Sequence, residues 1–212
     1  MKIDFVSDVS CPWCAIGLQS LQKAIDNLDG AIDTELHFQP FELNPDMAPE
    51  GQDIGEHLAQ KYGSTPEQRE RNAEAIRQRG EALGFEFRTG ARSRIYNTFD
   101  AHRLLHWAQI EGRQLELKQA LFGAYFTLGE NPGSQEVLLR LAGEVGLDVG
   151  KAREVLESGL FADEVRERER FYQSHGISSV PAVIINDKHL ISGGQPPEVF
   201  ERALRQIAEE AA

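Results

Sequence analysis

Cysteine and long apolar stretches are scarce in this sequence. Only two cysteines occur among its 212 residues, which excludes a small fold held together by several disulfides. Nowhere do about eighteen apolar residues follow one another, so the sequence predicts no membrane-spanning helix. Its start, Met1-Lys2, leads directly into an apolar strand pattern without the basic and apolar segments of a signal peptide. We therefore expect a cytoplasmic protein without a membrane partner.

Positive charge is also limited. The chain has 22 Lys and Arg residues against 34 Asp and Glu residues, a formal net charge of −12. Nucleic acids and anionic membranes are bound through clustered Lys and Arg, and the sequence has no such cluster. Nucleic acid is therefore not an expected partner. The remaining composition is typical of a globular protein long enough for one large or two small domains.

The two cysteines lie in one short motif, Ser10-Cys11-Pro12-Trp13-Cys14. An apolar run typical of a strand precedes the motif at residues 3–6, and an amphipathic segment typical of a helix follows it at residues 15–28. A Cys-x-x-Cys sequence between a strand and a helix indicates a thiol redox site, particularly where thiols are kept reduced. The sequence therefore predicts a redox-active pair.

Helix-end chemistry assigns a different role to each cysteine. Proline is favoured at the first helical position, so Pro12 predicts that Cys11 is the N-cap and Cys14 the third helical residue. The N-cap sulfur then faces the free amides of Trp13 and Cys14 and the positive end of the helix dipole, which both favour a thiolate. Cys11 is the predicted nucleophile. Cys14 begins the apolar stripe of the helix and is the predicted buried resolving thiol.

The two cysteines have two alternative interpretations. Two ordinary buried cysteines would not need a proline between them, and a disulfide closing so small a loop adds little stability. A zinc site needs about four ligands, and His102 and His106 are the one plausible partner pair. We expect no metal. Three side chains are candidates for accepting a proton from Cys14, each with a structural role as its alternative, and His102 is expected to pack between helices. These candidates are Asp8, Glu42 and His37.

The pattern along the chain predicts an α/β protein. A β-α-β unit occupies residues 2–40, with a right-handed crossover. A helical stretch of about six helices follows to residue 175, with a start at Thr65-Pro66 and glycines at the expected helix stops. A β-hairpin and a final helix complete the chain after Gly176. We predict a discontinuous domain of residues 1–45 and 176–212 around an inserted helical domain of residues 46–175. The predicted glycine stops are Gly63, Gly84, Gly112, Gly146, Gly159 and Gly176.

These features resemble the thioredoxin fold with a large all-helical insertion between its β-α-β and β-β-α halves. More narrowly, the chain resembles the DsbA-like thiol oxidoreductases and, within them, the cytoplasmic FrnE-like branch. The similarity extends over nearly the whole length. The residues that carry it are Asp8, Cys11-Pro12-Trp13-Cys14, Gly17, Phe41-Glu42-Leu43-Asn44-Pro45, Ala101-His102-Arg103-Leu104, Gly176-Ile177-Ser178-Ser179-Val180-Pro181 and Gly193-Gly194-Gln195.

The resemblance implies a substrate-binding segment at Ser179-Val180-Pro181. In this family the bond before the matching proline is cis and presents the backbone of the preceding residue toward the first cysteine. An extended peptide can pair with that backbone with little sequence preference. The implied activity is disulfide exchange, as oxidase, isomerase or reductase, on a protein or small molecule that contains a thiol or disulfide. No cofactor is implied, although glutathione is a candidate redox partner.

Two alternatives to this function stay open. The kappa-class glutathione transferases and 2-hydroxychromene-2-carboxylate isomerases share the inserted-helix layout and bind glutathione, but they typically carry serine where Cys11 stands. A non-enzymatic peptide-binding or zinc-binding module is the other alternative. The sequence does not indicate the direction of exchange, the physiological substrate or the oligomeric state.

Overall fold

A computed structural model describes residues 1–211; Ala212, the last residue of the predicted segment 176–212, lies outside them. The elements follow the order β1, α1, β2, then a mainly helical segment, then β5, β6 and α9. In chain order they are Lys2–Ser7 (β1), Pro12–Asn27 (α1), Glu35–Pro40 (β2), Gln52–Asp53 (β3), Ile54–Tyr62 (α2), Pro66–Ala82 (α3), Arg94–Ile95 (β4), Phe99–Ile110 (α4), Gln114–Phe122 (α5), a π-helical turn at Gly123–Thr127, Gln135–Glu144 (α6), Val149–Glu157 (α7), Ala162–Ser174 (α8), Ala182–Ile185 (β5), His189–Ser192 (β6) and Pro197–Ala211 (α9).

A four-stranded sheet of order β2-β1-β5-β6 forms the centre of the fold. Strand β1 runs parallel to β2 and antiparallel to β5, which pairs antiparallel with β6. The parallel pair requires a crossover, which α1 supplies, and α1 packs against α9. The predicted thioredoxin fold is confirmed. The cysteine motif lies at the C-terminal end of β1, in the short turn between β1 and α1.

The segment between β2 and β5 is helical with one addition. Within the described residues it contains seven α-helices and a π-helical turn, where about six helices were predicted. It also contains a two-residue antiparallel ladder, in which Gln52 pairs with Ile95 and Asp53 with Arg94. The insertion is therefore not purely helical. Two-residue strands are too short to show any periodicity in the sequence.

Most predicted helix ends are correct. The side chain of Thr65 accepts a hydrogen bond from the amide of Gln68, whose own side chain bonds back to the amide of Thr65, with proline at the first helical position. Helix α7 also ends directly before its predicted stop at Gly159, since Glu157 is its last residue and Ser158 its C-cap, but Ser158 is extended and the positive φ of 61° is at Phe161. No helix within residues 1–211 is long and apolar enough to cross a membrane.

The sheet shares a hydrophobic cluster with part of the inserted segment. Phe122, Tyr125 and Phe126 belong to the same buried cluster as Phe5 and Phe38 of the sheet. The rings of Phe5 and Phe38 pack edge to face with centroids 5.8 Å apart. The two predicted segments are thus packed together, and the predicted boundaries at residues 45 and 176 stay a prediction.

Candidate active site

The turn that carries the cysteines is fixed by backbone hydrogen bonds. Cys11 is the N-cap of α1 in an extended conformation, and Pro12 is the first helical residue, as predicted. The amide of Cys11 donates to the carbonyl of Asp8 at 3.2 Å, and its own carbonyl accepts from the amides of Cys14 and Ala15 at 3.1 and 3.3 Å. Both cysteines are free thiols. These hydrogen bonds fix Cys11 and Cys14 at the two ends of the first turn of α1.

The two cysteines differ in exposure. Cys11 retains 5% of its surface and Cys14 retains 0%. Trp13, between them, is 38% exposed and faces solvent beside the turn. A reagent from solution therefore reaches Cys11 first. This order agrees with the predicted roles of nucleophile and resolving thiol, which stay predictions.

The sulfur of Cys11 contacts Val180 rather than the helix amides. Its side chain makes no cap hydrogen bond, so the predicted bond from the amides of Trp13 and Cys14 is absent in this thiol state. Instead, the S–H of Cys11 donates to the carbonyl oxygen of Val180, with sulfur and oxygen 3.8 Å apart. A neutral thiol donates a hydrogen bond and therefore binds a carbonyl oxygen, whereas the free amides at the helix start are donors that stabilise an anion.

The predicted substrate segment lies beside Cys11. The bond between Val180 and Pro181 is cis, as the resemblance implied. Pro181 is buried, Val180 is half-buried and Ser179 is exposed. The structure thus brings Val180 and Pro181 to the cysteine turn, with Ser179 at the surface next to them.

Two glycines allow close packing around the cysteine turn. A Cβ on Gly17 of α1 would lie 3.1 Å from Cγ of Pro181, and a Cβ on Gly194 would lie 2.9 Å from the carbonyl oxygen of Trp13. The carbonyl of Gly194 accepts a hydrogen bond from Arg79 at 3.0 Å. Arg79 thereby connects helix α3, most of which is exposed, to the site.

A buried carboxylate stabilises the start of the motif. Asp8 has 0% exposure and accepts from the amide and hydroxyl of Ser10 at 3.2 and 2.9 Å and from the amide of Leu43 at 2.7 Å. Burial by itself raises the pKa of Asp8, but His102, the Leu43 amide and Thr98 outweigh it and lower the pKa to about 2. The carboxylate of Asp8 therefore connects the cysteine turn, through Ser10, to the segment after β2, through Leu43.

His102 has a polar contact that the sequence analysis did not predict. It was expected to pack between helices, and it is buried, but its Nε2 lies 3.5 Å from Oδ1 of Asp8. His106, the other member of the possible zinc pair, packs its ring against Phe161 with centroids 5.1 Å apart. Among residues 1–211, no three His, Cys, Asp or Glu side chains are grouped as they would be around a metal ion.

Of the three predicted proton acceptors, Asp8 alone lies at the cysteine turn. His37 is partly exposed, and its ring contacts Gln109 at 3.0 Å and Glu35 at 3.1 Å. These contacts place it on the outer part of β2. The prediction that His37 lies close to Cys14 is therefore wrong, because the alternation of β2 turns its side chain toward the surface.

Glu42 is part of a separate buried charge cluster. It pairs with Arg166, which also donates to Glu169 at 2.8 Å, while one oxygen of each carboxylate has no hydrogen-bond partner. Burial and the neighbouring Glu169 raise the pKa of Glu42 to about 7, and Arg166 opposes them. Two carboxylates thus share one guanidinium, and the fold disfavours the ionised form of Glu42.

Lys118 was not predicted as a site residue. It lies on α5 with 0% exposure, and its Nζ has no hydrogen-bond partner. Nζ is 5.0 Å from the ring centroid of Phe122 and 5.8 Å from that of Phe38. Burial lowers the pKa of Lys118 to about 8, although Cys14, Asp8 and Cys11 oppose the shift. Lysine is almost never fully buried without a partner, so the sequence contained no signal for this placement.

Cys14 is held as a neutral thiol. Burial raises its pKa well above the usual value, and the adjacent Cys11 thiol adds to this effect. The positive charge of Lys118 acts in the opposite direction. Ionisation of Cys14 is therefore unfavourable in the dithiol state of the protein.

Comparison with known proteins gives consistent matches. The family described as "DSBA-like thioredoxin domain" matches residues 2–205. The protein YwbO of Bacillus subtilis (strain 168), described as uncharacterized, is 30% identical over 205 residues, which cover 96% of each chain. The crystal structure of a probable DsbA oxidoreductase, SCO1869 from Streptomyces coelicolor, has a TM-score of 0.91 at 35% identity and covers 99% of this chain and 91% of its own.

A more distant structure shares the fold. The cytosolic disulfide reductase DsbM from Pseudomonas aeruginosa, solved with GSH, has a TM-score of 0.66 at 16% identity and covers 99% of this chain and 100% of its own. This similarity concerns the fold, including the helical insertion. The more specific FrnE-like assignment stays a prediction.

Proposed function

We propose that this chain, which belongs to the DSBA-like thioredoxin domain family, catalyses thiol–disulfide exchange through Cys11 and Cys14. The observation that carries the proposal is the asymmetry of the pair. Cys11 is the N-cap with residual exposure and its sulfur lies against Val180, whereas Cys14 is sealed in the core. An accessible nucleophile beside a buried partner is the arrangement that two-step exchange requires.

The reaction proceeds through a mixed disulfide. The thiolate of Cys11 attacks one sulfur of a substrate disulfide, a Cys11–substrate bond forms, and the other substrate sulfur leaves and takes up a proton. Cys14 then loses its proton and attacks the sulfur of Cys11, and the second substrate thiol is released. The substrate gains two electrons and the pair becomes a disulfide. Run in reverse, the same steps oxidise a substrate dithiol.

The thiol and the thiolate of Cys11 suit different neighbours. Loss of the proton removes the hydrogen bond to Val180, since the sulfur becomes an acceptor facing a carbonyl oxygen. The free amides of the first turn of α1 and the helix dipole then provide the better environment. We therefore expect the sulfur to turn from Val180 toward these amides on ionisation.

The surface around Cys11 supports binding of an extended chain. The backbone of Val180 lies at the sulfur, Ser179 is exposed beside it, and Trp13 adds a partly exposed aromatic surface. Main-chain pairing of this kind tolerates many sequences, so a protein thiol or disulfide is the proposed substrate class. We propose glutathione as the small redox partner, which the GSH in the DsbM structure supports. The two sulfurs carry both electrons, so we propose no further cofactor, and the cytoplasmic location stays a prediction.

The transferase and isomerase alternative is less well supported. Its members typically carry serine at the position of Cys11, and this chain has cysteine at both ends of the motif. Glutathione conjugation needs one activated site and no resolving thiol, which leaves the buried Cys14 without a role. No contact in the site favours that chemistry over exchange.

The proposal is tested by following reduction of insulin by glutathione with wild type, Cys11→Ala, Cys14→Ala and Cys11→Ser. Wild type should accelerate the reaction and Cys11→Ala should abolish the acceleration. Cys11→Ser recreates the serine of the alternative group and should be equally inactive in exchange. Retention of exchange by Cys11→Ala would overturn the proposal, and conjugation of glutathione to an electrophile by Cys11→Ser would favour the transferase.

A further inference from the structure

A lysine is buried near the two cysteines without a hydrogen-bond partner. Lys118 has 0% exposure, and its Nζ makes no hydrogen bond. Two phenylalanine rings, Phe38 and Phe122, surround the amine. Both rings belong to the hydrophobic cluster that also contains Cys11 and Cys14. The two rings nearest the amine and the two cysteines therefore belong to one buried cluster.

This placement is costly in the resting protein. A buried ammonium without a partner loses its hydration, and a ring face returns only about 0.5 to 2 kcal/mol. A methionine of similar length would fit the same surroundings at lower cost. Packing therefore does not explain the lysine.

The nearby carboxylate of Asp8 favours the charged form of Lys118 but makes no hydrogen bond to its amine. Asp8 is already engaged by Ser10 and Leu43 and lies 3.5 Å from His102. It accepts no hydrogen bond from Lys118. The remaining groups able to carry negative charge near Lys118 are the two thiols, and the charge of Lys118 favours ionisation of Cys14.

We propose that Lys118 is the counter-charge for the thiolate that forms on Cys14 when Cys14 attacks the mixed disulfide. The inference rests on the proposed function and deepens it. In this step Cys14 loses its proton, its sulfur bonds to the sulfur of Cys11, and the bond from Cys11 to the substrate breaks. The substrate sulfur leaves with the electron pair and ends as a thiol with the proton. Lys118 acts through Cys14 and is a positioning residue.

The role predicts a specific kinetic defect. Reduced protein is mixed with Ellman's reagent, which releases one thionitrobenzoate when Cys11 attacks and a second when Cys14 resolves the adduct. In Lys118→Met, the first release should stay within about threefold of wild type. The second release should slow by about tenfold or more, since each unit in the pKa of Cys14 changes its thiolate fraction tenfold. Lys118→Arg keeps the charge and should resolve faster than Lys118→Met.

Controls separate this role from a structural one. Lys151→Met, at an exposed position on α7, should match wild type in both phases. Lys118→Met should melt at or above the wild-type temperature, because it removes an unpaired buried charge. Equal second-phase rates in wild type and Lys118→Met, or a loss of stability with both phases slowed alike, would overturn the inference while leaving the exchange function intact. A wild type that releases only one equivalent would overturn the exchange function itself.

Discussion

The sulfur of Cys11 lies 3.8 Å from the carbonyl oxygen of Val180, although the two residues are 169 positions apart in the chain. The contact joins the start of α1 to the segment that leads into β5. These two segments are neighbours because β1 and β5 pair in the sheet. The fold thereby brings the cysteine turn next to the segment that is proposed to bind substrate.

Close packing behind this contact gives a first prediction. In Gly194→Ala, the new Cβ meets the carbonyl oxygen of Trp13 at 2.9 Å, which forces the cysteine turn or the loop after β6 to shift. We expect a loss of about 1 to 3 kcal/mol in the free energy of unfolding and a slower exchange reaction. Gly123→Ala is the control, because a Cβ there meets no atom within 4 Å. Equal effects of the two substitutions in denaturant titrations would contradict this packing.

The buried carboxylate of Asp8 predicts an acid-dependent stability. Its pKa is about 2 in the folded chain against an ordinary value of 3.8, so the folded state binds its proton less tightly. The carboxylate stabilises the fold above pH 3.8, and this stabilisation disappears as the pH falls toward 2. Asp8→Asn should cost about 2 kcal/mol at pH 7 and much less near pH 2. The exposed control Asp46→Asn should show no such pH dependence.

Glu42 predicts a trend of opposite sign. Its pKa is raised to about 7, so the folded state disfavours the ionised form beside Glu169. This carboxyl destabilises the fold increasingly as the pH rises from about 4.5 through 7. Glu42→Gln should therefore be more stable than wild type at pH 8 and similar to it near pH 4.5. Thermal melting across this range measures the difference, and a constant difference at all pH values would contradict the assignment.

The buried amine predicts an alkaline trend in stability. The pKa of Lys118 is about 8 in the folded chain and 10.5 ordinarily, so below pH 8 the fold must accommodate an ammonium. Between pH 8 and about 10.5 the folded state releases this proton and the unfolded state keeps it, so wild type gains stability relative to Lys118→Met. The advantage of Lys118→Met should be largest below pH 8 and shrink above it. Chemical denaturation of both proteins at pH 7 and pH 9.5 measures this.

Local patterns predicted the parts of the site that depend on local chemistry. Proline between two cysteines after an apolar run placed Cys11 at the helix start, and alternation identified the hairpin at β5 and β6. The cap hydrogen bond from the helix amides to Cys11 was predicted wrongly, because its geometry depends on whether the sulfur carries a proton. The acceptor that replaces those amides, Val180, is distant in the chain.

The features that sequence reasoning missed all depend on long-range packing. Lys118 lies on a helix whose polar residues would ordinarily face solvent, and its burial follows from where α5 meets β2. His37 alternates correctly along β2, but the sequence does not show which face of the strand is covered. The contact from Arg79 to Gly194 connects residues 115 positions apart. Periodicity determines which face is apolar, and it does not determine which element packs on that face.

Trapping with glutathione tests the division of labour between the two cysteines most directly. Each single variant is incubated with oxidised glutathione, and adducts are identified by mass spectrometry. Cys14→Ala should rapidly accumulate one stable glutathione on Cys11, since the thiol that would displace it is missing. Cys11→Ala should remain essentially unmodified while folded and react at Cys14 only after denaturation. An adduct that forms on Cys14 of folded Cys11→Ala as quickly as on Cys11 of Cys14→Ala would contradict the account.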